Sequence, residues 1–168
     1  MNELDGDQQA IRDMARDFVR REIVPYALEW DQIGKVPPRV IEQAGALGLF
    51  GMTMPTDLGG AGADFLSYVL ATEELAYGDA GFANMINATN SYCVKIRDFG
   101  NSDVKQRFLA PVAKGGALGC MLLTEPHCGS DAANIRTRAR RRRPAGSRSR
   151  WRAPRPGPPS GSARGACA

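Results

Sequence analysis

The chain has 168 residues, enough for one domain with a sizeable core, and its formal net charge of +4 averages two unlike parts. All 18 acidic residues precede position 140 while nine of the 22 basic residues follow position 139, so residues 1–139 carry −5 and the last 29 residues carry +9. The body therefore needs no basic face, which argues against nucleic acid as its partner. The acidic start Met-Asn-Glu-Leu-Asp-Gly-Asp lacks the pattern of a secretory signal or an Arg-rich transit peptide. The apolar-rich stretch over residues 117–123 is far too short to span a bilayer, so a cytoplasmic protein without membrane association is expected. Four cysteines (Cys93, Cys120, Cys128, Cys167) and one histidine, His127, show no paired metal-ligand spacing, so no metal and ordinary reduced thiols are expected.

In chain order, residues 4–30 read as helix. Ile11, Met14, Ala15, Phe18, Val19 and Ile23 recur at helical spacing, and Arg12, Arg16, Asp17, Arg20 and Arg21 fill the other face. Asp5 or Asp7 is placed to cap its start, and Pro25, which has no amide hydrogen, ends or kinks it before residues 26–33 resume. Pro37-Pro38 opens a short helix through Leu47, stopped by Gly48. Residues 54–62 form a breaker-rich loop. A helix over residues 64–77 offers Phe65, Tyr68, Val69, Leu70 and Leu75 for burial, and residues 78–81 break it. A more polar helix spans residues 82–99, and Ser102 is placed to cap a last helix ending before Pro111. Only after Gly119 does a β pattern emerge, with Cys120-Met121-Leu122-Leu123 leading into Thr124.

From Arg140 the composition changes abruptly: nine Arg, five Pro, five Ala, four Gly, four Ser, one Trp and one Cys, with no acid and no large aliphatic residue. Such a segment buries too little apolar surface to offset its ordering entropy and is expected to be disordered. Its residue types are those of GC-rich codons, the product expected of an out-of-frame reading of a GC-rich gene. The competing reading is a basic tail whose arginines and Trp151 contact phosphates and bases.

Five segments, taken in order, resemble the acyl-CoA dehydrogenase family over residues 4–139. Gln8-Gln9-Ala10-Ile11-Arg12 is similar to its opening helix, and residues 42–51, with a Gly-Ala-Leu-Gly-Leu core, to its third. Pro55-Thr56-Asp57-Leu58-Gly59-Gly60-Ala61-Gly62 resembles its loop, and Glu73-Glu74-Leu75-Ala76-Tyr77-Gly78 its next helix. Thr124-Glu125-Pro126, then Gly129-Ser130-Asp131, resembles its flavin-proximal signature. Cys128 departs from the pattern, standing where the family usually has alanine or threonine.

The resemblance implies a mainly α fold: an N-terminal helical domain over residues 1–116, the first strand and turn of a β domain over 117–139, and a disordered tail over 140–168. It implies FAD as cofactor, acyl-CoA as substrate, an electron-transfer flavoprotein as acceptor and a homo-oligomer. In the family reaction a carboxylate removes the proton beside the thioester carbonyl while the neighbouring carbon passes hydride to flavin N5. That carboxylate belongs to a C-terminal helical domain with no counterpart here, so no catalytic residue is assigned and the chain alone is expected to be inactive. A related acyl-CoA oxidase or flavin monooxygenase uses the same scaffold.

By the same resemblance, Met121 and Leu123 offer backbone groups to the flavin ring and Thr124 its hydroxyl. Strand backbone and a hydroxyl suit a flavin's pyrimidine edge because they supply donors and acceptors without charge. Gly129 lets the backbone turn close to the ligand. Ser130 touches both flavin and acyl-CoA, and Asp131 caps the turn. Glu125 reads as structural and His127 as a solvent-facing loop residue, while Gly-Ser-Asp lacks a nucleophile elbow. Asn84, Asn87 and Ser91 share one helical face, with Asn90 beside them. That face either meets water or further protein, or lines the base of a pocket for a short or polar acyl chain, with Asn84 and Asn87 as substrate-binding residues. Ala83 and Asn84 stand near the arginine of glutaryl-type members, so a dicarboxylyl substrate is not expected.

Overall fold

Helix-capping side chains and two prolines set most of the element boundaries in the computed structural model, which describes residues 3–138. The tail over residues 140–168, with its expected disorder, its out-of-frame origin, its nucleic-acid reading and Cys167, lies outside them. The chain divides into two compact units, Met1–Met121 and Leu122–Ala168.

In the first unit, helix α1 (Gly6–Phe18) begins with a reciprocal cap. Asp5 accepts from the Gln8 backbone N–H at 2.8 Å, and the Gln8 side chain accepts from the Asp5 N–H at 3.2 Å. The helix then widens into a π-turn over Val19–Ile23, where the Val24 N–H reaches back five residues to the Val19 carbonyl at 3.0 Å. Pro25 follows directly, so the proline break occurs where expected. Helix α2 (Ala27–Ile33) stops at Gly34, whose φ of +63° favours glycine. Helix α3 (Pro38–Ala46) carries Pro38 in its first turn, where no intrahelical donor is required.

Helix α4 (Phe65–Gly78) starts at Asp64, which accepts from the Ser67 N–H at 2.6 Å and from the Gln8 side chain at 2.8 Å. The break after it is shorter than the sequence suggests. Asp79, in extended geometry, closes α4 and also caps α5 (Ala80–Phe99) by accepting from the Phe82 N–H at 2.6 Å, so Gly81 lies inside a helix.

The last helical segment corrects two expectations. Asn101, not Ser102, is the cap, accepting from the Val104 N–H at 2.9 Å before α6 (Ser102–Val104). The chain also does not stop before Pro111: a π-turn over Lys105–Leu109 leads into α7 (Ala110–Ala113), with Pro111 in its first turn. There the missing proline N–H costs nothing, because the wider turn has already shifted the hydrogen-bond register.

The strand expected at residues 120–123 is absent. Among the described residues there is no strand, only an isolated bridge between Glu125 and Cys128. A strand exists by pairing, and no described segment offers residues 120–123 a partner.

One core joins Ala15, Phe18, Val19 and Ile23 to Leu75, Phe82 and Ile86, and continues through Val40, Leu49 and Phe50. A smaller cluster holds Met54, Cys93, Leu109, Val112 and Ala113. Arg16 clamps α1 to α4, its guanidinium meeting Glu74 through two bonds of 2.6 and 3.2 Å. The backbones of α3 and the turn after α7 touch at Gly45 and Gly115, where a Cβ on Gly45 would stand 2.6 Å from the Gly115 Cα. Of the residues offered for burial on α4, Leu75 is fully enclosed, whereas Phe65 is 72% and Val69 43% exposed. That helix is apolar on most of its circumference, and α1 and α5 cover only part of it.

Candidate functional site

The residues with predicted binding roles fall in three places. Asn84 and Asn87 lie on α5, Met121 ends the helical unit, and Leu123, Thr124, Gly129 and Ser130 belong to the second unit.

On α5 the asparagines divide by role. Asn84 is exposed. Asn87 is half-buried and its Oδ1 accepts from the Tyr68 hydroxyl at 2.8 Å and the Thr72 hydroxyl at 3.2 Å, tying α5 to α4. Asn90 is buried and saturated: its oxygen accepts from the Met52 N–H at 2.9 Å, and its amide donates to the Leu49 carbonyl at 2.9 Å and the Ile86 carbonyl at 3.1 Å. The polar face thus serves internal structure at Asn87 and Asn90, leaving the Asn84 side chain and the Asn87 amide nitrogen as groups without a partner among the described residues. Helical spacing places these side chains on a face; only the tertiary fold says which neighbours they meet.

Residues 120–124 belong to no helix or strand. Met121, Leu122 and Leu123 are 47%, 73% and 52% exposed. Among the described residues, no hydrogen bond engages the backbone of Met121 or Leu123 or the hydroxyl of Thr124. Neutral donors and acceptors arrayed along an open segment fit the edge of a flavin ring, so these residues suit FAD. Gly129 fits in a different way. Its φ is not positive and a Cβ there would meet nothing within 4 Å, so nothing among the described residues demands glycine at that point.

Beyond Thr124 the chain makes a tight turn. The Cys128 N–H donates to the Glu125 carbonyl at 3.1 Å and the Glu125 N–H to the Cys128 carbonyl at 3.0 Å, with Pro126 at the position that favours proline. A 3₁₀ turn follows at Ala132–Asn134. Asp131 stands at its cap position as the sequence suggests, but only its backbone carbonyl takes part, accepting from the Asn134 N–H at 3.1 Å. Ser130 is exposed. His127 is exposed, as expected of a solvent-facing loop residue, and its Nε2 lies 3.2 Å from the Asn134 carbonyl and 3.4 Å from the Glu125 carboxylate.

Glu125 organises the whole turn. Its carboxylate accepts from the Thr137 hydroxyl, from the Thr137 N–H at 2.8 Å and from the Arg136 N–H at 2.9 Å. These bonds, the Thr137 hydroxyl foremost, hold its pKa below the usual carboxylate value. The loop of residues 126–135 is thereby closed at its base, with Ser130 presented on its outer side. Glu125→Ala is expected to speed tryptic cleavage after Arg136 by roughly tenfold, because the loop loses the hydrogen bonds that close its base. Mass spectrometry of a digestion time course measures it, and an unchanged cleavage rate would dismiss the clamp.

Elsewhere, an open hollow of about 540 Å³ lies among the start of α1, the loop at residues 47–63 and the start of α4, but none of the predicted site residues lines it. Cys93 is fully buried and its thiol is pushed up to about 11 by burial, which keeps it protonated. Among the described residues no helix is long and apolar enough to cross a membrane.

Comparison with known proteins agrees with this arrangement. Residues 5–116 match the family model of the acyl-CoA dehydrogenase N-terminal domain. The chain is 41% identical over 139 residues to the probable acyl-CoA dehydrogenase YngJ of Bacillus subtilis, covering 82% of this chain and 36% of that protein. It is 39% identical to the mitochondrial short-chain specific acyl-CoA dehydrogenase of Rattus norvegicus, covering 82% of this chain and 34% of that one. Among solved structures it is similar to a glutaryl-CoA dehydrogenase from Mycobacterium smegmatis in complex with FADH2. That match has a TM-score of 0.77 and 37% identity, covering 82% of this chain and 36% of the other. The chain therefore spans about a third of the length of the curated relatives it matches. With the helical order, the caps and the family match in agreement, the chain belongs to the acyl-CoA dehydrogenase family, and residues 5–116 are its N-terminal domain.

Proposed function

We propose that this chain supplies the helical domain and the flavin-facing turn of an FAD-dependent acyl-CoA dehydrogenase that oxidises an acyl-CoA to its 2-enoyl-CoA. The observation that carries the reading is the open, neutral hydrogen-bonding edge at residues 121–124, directly after a helical domain of this family. Met121 and Leu123 orient the flavin through their backbone groups and Thr124 through its hydroxyl. Gly129 leaves room where the ligand approaches, and Ser130 reaches both cofactor and thioester. Bound FAD would supply the hydride acceptor. No described residue is assigned as the proton-abstracting carboxylate.

The substrate is a short-chain acyl-CoA, with Asn84 and the Asn87 amide at the base of its pocket. Support comes from the relatives whose names specify short-chain substrates. Electrons pass to an electron-transfer flavoprotein, and the assembled enzyme is a homo-oligomer. An acyl-CoA oxidase or flavin monooxygenase on the same scaffold would differ in residues beyond these.

The test is a chimera joining residues 1–138 to the remaining portion of the Bacillus subtilis relative. It should purify with flavin absorbance and bleach anaerobically on adding butyryl-CoA. Thr124→Ala should weaken flavin retention by roughly five- to tenfold, the loss of one hydrogen bond of about 1 kcal/mol. A folded chimera that holds no flavin would refute the assignment, and a clear preference for long-chain substrates would refute the short-chain pocket.

A further inference from the structure

The turn at residues 125–128 gathers three different metal-binding groups. One oxygen of Glu125, one ring nitrogen of His127 and the Cys128 sulfur all lie within 4.8 Å of one another. In a tetrahedral zinc site with bonds of about 2.0–2.3 Å, ligand atoms stand roughly 3.5 Å apart. The His127 Nε2 and the Glu125 Oε2 are already 3.4 Å apart, and metal binding there exchanges the Nε2 contact with the Asn134 carbonyl for a bond to the metal as the sulfur moves inward.

Three further features suit a ligand. The Cys128 residue is only 8% exposed, and its thiol makes no hydrogen bond with any described residue. The Glu125 carboxylate is fixed by the Arg136 and Thr137 donors yet keeps a lone pair on Oε2 toward His127. Ligating carboxylates are commonly held by an outer layer of hydrogen bonds of this sort. The turn itself is braced by the paired Glu125–Cys128 backbone bonds, so two of the three donors arrive already positioned.

We propose that Glu125, His127 and Cys128 form a binding site for a divalent transition metal, zinc above all, with solvent at the fourth position. Carboxylate, imidazole and thiolate together select a borderline-soft ion over calcium or magnesium, which prefer all-oxygen sets. Binding replaces the thiol proton, which is released to solvent, and His127 binds as the neutral ring. Sequence spacing misses this site because it counts paired cysteines and histidines, whereas here the third donor is a carboxylate folded back over the turn. The site needs neither flavin nor acyl-CoA, so its failure and the failure of the enzymatic reading are separable.

The experiment uses the full chain, free of added metal, titrated with Co²⁺ and then displaced with Zn²⁺. A thiolate-to-cobalt charge-transfer band at one equivalent, removed by Zn²⁺, is the expected result. His127→Ala and Cys128→Ser should each weaken binding by at least about tenfold. Cys120→Ser and Cys167→Ser should leave it unchanged, and far-UV circular dichroism of every variant should match the parent. Absence of the band in the folded parent would overturn the proposal, as would its persistence in Cys128→Ser or its loss in Cys120→Ser or Cys167→Ser.

Discussion

Phe82→Ala should lower the unfolding free energy of the helical unit by about 3–5 kcal/mol, the range for removing a buried phenylalanine. Phe82 is 1% exposed and begins α5, where its ring centroid lies 6.3 Å from that of Phe18 on α1. It therefore fills the space where α1 and α5 share one core with Leu75 of α4. Alanine leaves a cavity that three helices cannot close together, because α4 and α5 are joined through the single residue Asp79. A domain of this size has only about 5–15 kcal/mol of total stability, so the variant should be close to unfolding at moderate temperature. Urea denaturation followed by circular dichroism measures the loss, and Phe82→Leu should recover much of it. A midpoint that barely moves in Phe82→Ala would mean that the ring is not a shared core element.

Asn90→Leu should cost nearly as much, about 2–5 kcal/mol, for a different reason. Leucine has similar volume, so the packing change is modest, but the Met52 N–H and the Leu49 carbonyl would lose their partners inside the protein. Met52 is 3% and Leu49 0% exposed, so water cannot replace the asparagine. Each orphaned buried group costs about 1–3 kcal/mol. The same chemical-denaturation measurement applies, with Asn90→Asp as a second variant. Aspartate keeps an acceptor for Met52 but cannot donate to Leu49 when ionised, so it should also be destabilised, and increasingly as pH rises through its carboxylate range. If leucine were tolerated without loss, the asparagine would not be what fastens α5 to residues 49–52.

These two residues mark the boundary between what can be read in a sequence and what cannot. Phe82 is expected near a helix start from local pattern, whereas its burial beside Phe18 comes from how the helices pack. Asn90 looks like one more polar residue on a polar helical face, because nothing in local spacing announces a loop forty residues away that needs a donor and an acceptor.

The helical order, a cap at Asp5 or Asp7, the break at Pro25, the stop at Gly48 and the kinship of residues 4–139 were legible from the amino-acid order. Those features depend on short-range chemistry: periodic burial, side chains that cap their own helix, and rings that lack an amide hydrogen. The tertiary structure decided the rest. It carried the chain past Pro111 through a π-turn, left residues 120–123 without a strand partner among the described residues, tied Asn87 and Asn90 into the helical unit, and brought the Glu125 carboxylate close to His127 and Cys128. Each of these turns on which backbone group or side chain is within reach, and local sequence pattern does not show that.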